Sequence, residues 1–88
     1  MIERVAKIVN PLGLHARPAA QLVRTATAFK ADLHLALDGM SVNAKSIMGV
    51  MMLAAECGAD VTVRGEGEDA AAAVDAVCAL IAAGFGEQ

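Results

Sequence analysis

The hydrophobic periods along this chain predict an α+β fold with the element order β-α-β-β-α-β-α. Three observations carry that reading: four short segments alternate with period two, three segments place apolar residues at helical spacing, and Asp38-Gly39 is a strong two-residue hairpin signal. The helices are expected to cover one face of the sheet and leave the other wet.

The first strand is read over Ile2 to Val9, a β-branched segment with Ile2, Ala6 and Ile8 on one face and Glu3, Val5 and Lys7 on the other. Asn10-Pro11-Leu12-Gly13 punctuates the chain as a turn, and Ala19, Leu22, Val23 and Ala26 then recur at helical spacing through about Phe29. Asp32 to Leu37 alternates, with Leu33, Leu35 and Leu37 facing one way, and the hairpin leads into a partner strand from Met40 to Asn43. Ser46 is a good N-cap for a short helix from Ile47 to Cys57, with Gly58 placed to end it and Gly49 standing where a capping box would want Glu or Gln. Asp60 to Arg64 alternates again with Val61 and Val63 inward. Glu66, Glu68 and Asp69 then put negative charge at the start of a last helix, Ala70 to Ala83, whose stripe is Val74, Val77 and Ile81 and which stops near Gly84.

At 88 residues the chain is expected to be one domain, 1–88, with one modest core. Hydrophobic residues make up 57% of it but include only two aromatics, Phe29 and Phe85, so the core must be aliphatic and closely packed. A net charge of −3 and a pI near 5.1 argue against nucleic-acid binding, which calls for a basic surplus. The longest strongly apolar stretch, Ile47 to Ala55, falls well short of the roughly 18–20 residues that span a bilayer, and the first residues lack a signal-peptide layout, so a cytoplasmic location is expected. Cys57 and Cys78 are isolated and read as reduced, partly buried thiols, and the two histidines, His15 and His34, are too few and too far apart for a metal site; no cofactor is expected.

The chemistry concentrates in residues 13–20, Gly-Leu-His-Ala-Arg-Pro-Ala-Ala. His15 stands just before a helix start, where unpaired backbone N–H groups and a partial positive charge gather. Pro18 is tolerated in the first turn because the N–H it lacks had no partner there. Arg17 adds a planar fork matched to phosphate oxygens. The helix terminus and the arginine both disfavour a cationic ring, which leaves the imidazole free to attack phosphorus, and the same positive charge then favours the phosphoryl group once attached. A histidine merely capping the helix, or simply lying on the surface, is the competing reading.

Gly-Leu-His-Ala-Arg-Pro-Ala at 13–19 resembles the signature of the HPr family, the histidine-containing phosphocarriers of the bacterial phosphoenolpyruvate-dependent phosphotransferase system. Asn-Ala-Lys-Ser-Ile-Met-Gly-Val-Met-Met-Leu at 43–53 resembles the family's second signature. With length and element order, the resemblance covers essentially the whole chain. It implies an open-faced β-sandwich, a four-stranded antiparallel sheet with three helices. It also implies that His15 accepts phosphate on Nδ1 from phosphorylated enzyme I and passes it to the A component of an enzyme II, with Arg17 stabilising the phosphoryl group. The chain would then be a carrier rather than a stand-alone enzyme. The pattern departs at Leu12, where relatives often carry a hydroxyl or amide, so the anion site would lean more on backbone donors.

The resemblance further implies that Ser46 is a regulatory site for an HPr kinase/phosphorylase, in addition to its capping role. It places Ile47, Met48 and Met51 beside His15 in a docking face with Ala16, Ala20 and Arg24. Methionine suits a surface that must fit several partners. Arg17, Arg24 and Lys45 would make that face locally basic, predicting acidic partner surfaces and association weakened by salt. A monomer is expected. Two alternatives stay open: a regulatory binding module in which Ser46 phosphorylation controls docking to a transcriptional regulator or enzyme, and the nitrogen-related branch of the phosphotransferase system. His34, on the polar face of its strand, reads as a surface residue.

Overall fold

The computed structural model describes residues 1–87. Four strands, β1 (Ile2–Lys7), β2 (Asp32–Leu37), β3 (Met40–Asn43) and β4 (Asp60–Glu66), form one antiparallel sheet in the order β1-β4-β2-β3. Three helices, α1 (Ala16–Thr27), α2 (Ile47–Leu53) and α3 (Ala70–Ala82), complete the predicted order.

The register sorts side chains by face. Ala6 pairs with Val61, and Leu35 sits between Val63 of β4 and Val42 of β3, so the inward residues of the inner strands form one apolar surface. The helices supply its other half with Leu22, Val50, Val74, Val77 and Ile81, all fully buried. Each such aliphatic side chain contributes roughly 1.5–3 kcal/mol on leaving water. The opposite face carries a row running Glu3, Arg64, His34, Asn43 across all four strands, and His34 is exposed there as expected. The sequence around His34 shows no arginine, yet pairing sets Arg64 directly across from it.

Three boundaries depart from the sequence reading, the first at β1, which ends at Lys7 rather than Val9. β4 runs past Arg64 to Glu66, with Gly65 at an inward position: a Cβ there would lie 2.7 Å from Val74 Cγ2, so glycine lets α3 approach the sheet. α2 ends at Leu53 instead of Cys57, because Ala54 turns into the left-handed region (φ 53°, ψ 39°) and its N–H closes back onto the Met51 carbonyl. Gly58 instead serves the following turn, where its N–H reaches the Ile8 carbonyl at 2.7 Å. After α3 a short 3-10 turn, Gly84–Gly86, buries Phe85.

Cys78 is buried and Cys57 is exposed, so only one of the two free thiols is shielded as expected. Among the described residues no helix is long and apolar enough to cross a membrane.

Candidate functional site

Two glycine-rich turns and a helix start build the site. Gly13 has φ +67°, and a Cβ on it would stand 2.4 Å from the Ala55 carbonyl oxygen, so only glycine lets this loop lie against the end of α2. The contact is fastened by the Leu14 N–H, which donates to that same oxygen at 2.9 Å, and Leu14 is buried beneath it. The His15 ring is thereby presented from an anchored backbone.

His15 is the residue preceding α1, with extended backbone (φ −81°, ψ −171°), and its side chain makes no capping hydrogen bond. The capping alternative for this histidine is thus set aside. Its carbonyl accepts from Ala19 at 2.9 Å, while Pro18 has no N–H to offer. Among the described residues the N–H groups of Ala16 and Arg17 find no partner, and both residues are exposed. The ring, about one third exposed, therefore borders two free backbone donors and the positive end of a twelve-residue helix.

The other side of the ring holds a group that the sequence did not announce. Gly84, Phe85 and Gly86 lie in succession in the left-handed region, with φ of 64°, 57° and 73°, and this turn, anchored by buried Phe85, returns the chain toward the start of α1. Glu87 arrives with Oε2 3.1 Å and Oε1 3.3 Å from His15 Nε2. Asn10, 1% exposed, braces the arrangement: its Nδ2 donates to the Gly13 carbonyl at 2.8 Å and to Glu87 Oε1 at 3.1 Å. The Asn10 amide, aided by the imidazole and by the charge of Arg17, holds the Glu87 carboxyl below the usual carboxylate range against the opposing effect of partial burial. The ring thus sits between a cationic helix terminus and an anion, whereas the sequence suggested only the first. Asn10 was legible as a turn former and no more; Glu87 gave no signal because nothing in a chain's last residues says where they return.

The remaining candidates fall on two adjacent helices. Ala16, Ala20 and Arg24 recur along α1 opposite its buried Pro18, Ala19, Leu22 and Ala26, and Arg17 and Arg24, seven residues apart, share the exposed side. α2 packs beside α1 and exposes Ile47 (46%), Met48 (75%) and Met51 (44%), with Met52 also outward and Val50 and Leu53 turned into the core. Leu12, three residues before His15, is 75% exposed. Ser46 caps α2, its hydroxyl accepting the Gly49 N–H at 3.0 Å. Lys45, two residues before Ile47, donates its ammonium to the Phe29 carbonyl at 2.8 Å, just beyond the last turn of α1 that carries Arg24 and roughly 20 Å of helix axis from His15. Arg17 is therefore the cation of this group that stands in the turn beside His15, with Arg24 and Lys45 toward the other end of α1.

The family model described as the PTS HPr component phosphorylation site matches residues 2–83. A phosphocarrier protein HPr from Cupriavidus necator is 49% identical over 87 residues, covering 99% of this chain and 98% of that protein. The phosphocarrier protein NPr of Shewanella violacea is 42% identical over 86 residues, covering 98% and 94%. Among solved structures, HPr from Thermoanaerobacter tengcongensis superposes with a TM-score of 0.96 at 44% identity, covering 100% of this chain and 99% of that one. The open-faced sandwich, the helix-start histidine and these full-length matches together show that the chain belongs to the HPr family of phosphotransferase-system phosphocarriers.

Proposed function

We propose that this protein carries a phosphoryl group on His15, taking it from phosphorylated enzyme I and giving it to the A component of an enzyme II. The observation that supports this most directly is the half-open His15 ring beside the free N–H groups of Ala16 and Arg17, with Nε2 already engaged by Glu87. Nδ1 is then the nitrogen left for chemistry. Its lone pair attacks the donor's phosphorus, the Nδ1–P bond forms, and the donor's bond to phosphorus breaks with the electron pair leaving on the donor. Donation to the next protein is the same displacement in reverse. The helix terminus and the guanidinium of Arg17 offset the phosphoryl charge during both transfers, and neither step needs a metal or cofactor.

The surface of Ile47, Met48 and Met51, with Ala16, Ala20 and Arg24, is the proposed docking face for both partners. Its apolar centre and two arginines fit an apolar patch ringed by acidic groups, so association should weaken as salt rises. Phosphorylation of Ser46 by a dedicated kinase would put roughly two negative charges at the edge of that face. The 42% identity to an NPr supports a second reading, service in the nitrogen-related branch, with the same chemistry and different partners.

The test is incubation with phosphoenolpyruvate and enzyme I followed by intact-protein mass. One added phosphoryl group, acid-labile and absent in His15→Ala, is expected. An unchanged mass for the wild type would refute the proposal, and a phosphate that is acid-stable and appears only with ATP and a kinase would favour a purely regulatory module.

A further inference from the structure

Resting on the phosphocarrier reading, we infer that Glu87 is a positioning residue: it accepts the Nε2–H of His15, fixing the tautomer that bares the Nδ1 lone pair, and it balances the positive charge the ring gains when Nδ1 bonds phosphorus.

The geometry supports both roles. Either carboxylate oxygen lies within hydrogen-bond distance of Nε2, and neither can donate while ionised, so the proton must come from the ring. The carboxyl is held below the usual carboxylate range, first by the Asn10 amide, and so remains ionised at neutral pH. A neutral ring with its proton on Nε2 has its only lone pair on Nδ1. When that pair forms the N–P bond, the ring becomes formally cationic with its proton still on Nε2, 3.1 Å from the carboxylate. No proton needs to leave during transfer. A carboxylate behind an imidazole serves hydrolytic triads in the same way, by setting the tautomer and stabilising the imidazolium.

Asn10 makes the inference sharper than a charge argument alone. Its amide faces Oε1, so Oε1 must be an acceptor. In Glu87→Gln the side-chain oxygen would stay on Asn10 and the new NH2 would take the place of Oε2 against Nε2. That group donates, which requires the lone pair on Nε2 and drives the proton to Nδ1, the attacking position. Glu87→Ala removes the acceptor without supplying a donor.

The experiment measures His15 ring-nitrogen shifts by long-range ¹H–¹⁵N correlation at alkaline pH, with exposed His34 as the internal control. It also measures the rate of phosphoryl acceptance from phosphorylated enzyme I. The expected tautomers are Nε2–H in the wild type, a mixture in Glu87→Ala and Nδ1–H in Glu87→Gln, with acceptance slowed roughly tenfold by alanine and roughly a hundredfold by glutamine. A structural or purely charge-balancing role predicts the opposite order, with the isosteric glutamine milder than alanine. One tautomer ratio shared by all three proteins, or glutamine accepting faster than alanine, overturns the inference. A wild type that shows the expected tautomer but accepts no phosphate refutes the phosphocarrier reading instead, since the ring measurement needs no donor.

Discussion

Replacing Gly13 with alanine tests whether the loop beneath the histidine is held by contact or merely by turn preference. The left-handed backbone there (φ +67°) costs an alanine about 1 kcal/mol. The larger effect is steric: with the Cβ 2.4 Å from the Ala55 oxygen, loop and helix end must separate by about 1 Å to reach ordinary contact. The Leu14 N–H bond to that oxygen, now 2.9 Å, is then lost, and an unpaired buried N–H costs roughly 1–3 kcal/mol. The sum is about 3 kcal/mol, or about 15 °C in melting temperature for a domain of this size. Gly58 is the matched control: its φ is +95° but nothing lies within 4 Å of a built Cβ, so alanine there should cost only about 1 kcal/mol. Urea denaturation gives both values, and amide exchange at Leu14 reports the bond directly. If the two variants fall within about 0.5 kcal/mol of each other, or Leu14 stays protected in Gly13→Ala, the steric account is wrong.

Three further outcomes follow from the geometry. Ser46→Ala removes the acceptor for the Gly49 N–H and should cost about 1 kcal/mol in urea denaturation; a loss under about 0.3 kcal/mol would show that α2 needs no cap. Ala54→Gly relieves the left-handed strain at the exposed end of α2 and should raise stability by about 0.5 kcal/mol after the extra unfolded-state freedom of glycine is subtracted, whereas a loss would mean that Ala54 is not strained. Asp69, which precedes α3, accepts the Lys30 and Ala31 N–H groups at 2.9 and 2.8 Å, and the Lys30 bond leads in holding its carboxyl below the ordinary value. A depressed folded-state pKa stabilises the fold above the unfolded carboxylate range and is lost as pH falls, so the stability gap between wild type and Asp69→Asn should narrow below about pH 4; a gap unchanged by acid would rule out the ionised form as the anchor.

What the sequence made legible divides along a physical line. Strands β2 and β3 are read to the residue because alternation and the Asp38-Gly39 turn are local signals, settled by neighbours along the chain. His15, Arg17, Pro18 and Ser46 were placed correctly at helix starts for the same reason. The misses are all non-local. The run of β4 past Arg64 shows only once α3 is packed over Gly65, and Gly58 reads as a helix stop until Ala54 is seen to turn first. Glu87 stands 72 positions from His15, and only the left-handed Gly-Phe-Gly turn and buried Phe85 bring the two together.

That division also separates ring chemistry from docking within the site. The ring is governed by groups fixed from below and behind: Gly13, Leu14 and Asn10 anchor the backbone and brace the carboxylate, and none of them needs to touch a partner. In the proposed function docking falls to the outward sides of α1 and α2. Because the Ala55 carbonyl just past α2 is bonded to Leu14, it is the C-terminal end of α2 that lies at the histidine, and Ser46, at the other end, is about 10 Å of helix away. At that distance, across exposed surface, a charge on Ser46 acts weakly on the imidazole at physiological ionic strength. The same charge would lie next to Ile47 and Met48, in the proposed docking patch, where burying it without a matching cation is costly. On the proposed reading a modification at Ser46 would therefore bear on which partner docks, while the reactivity of the ring would stay with Glu87 and the helix terminus.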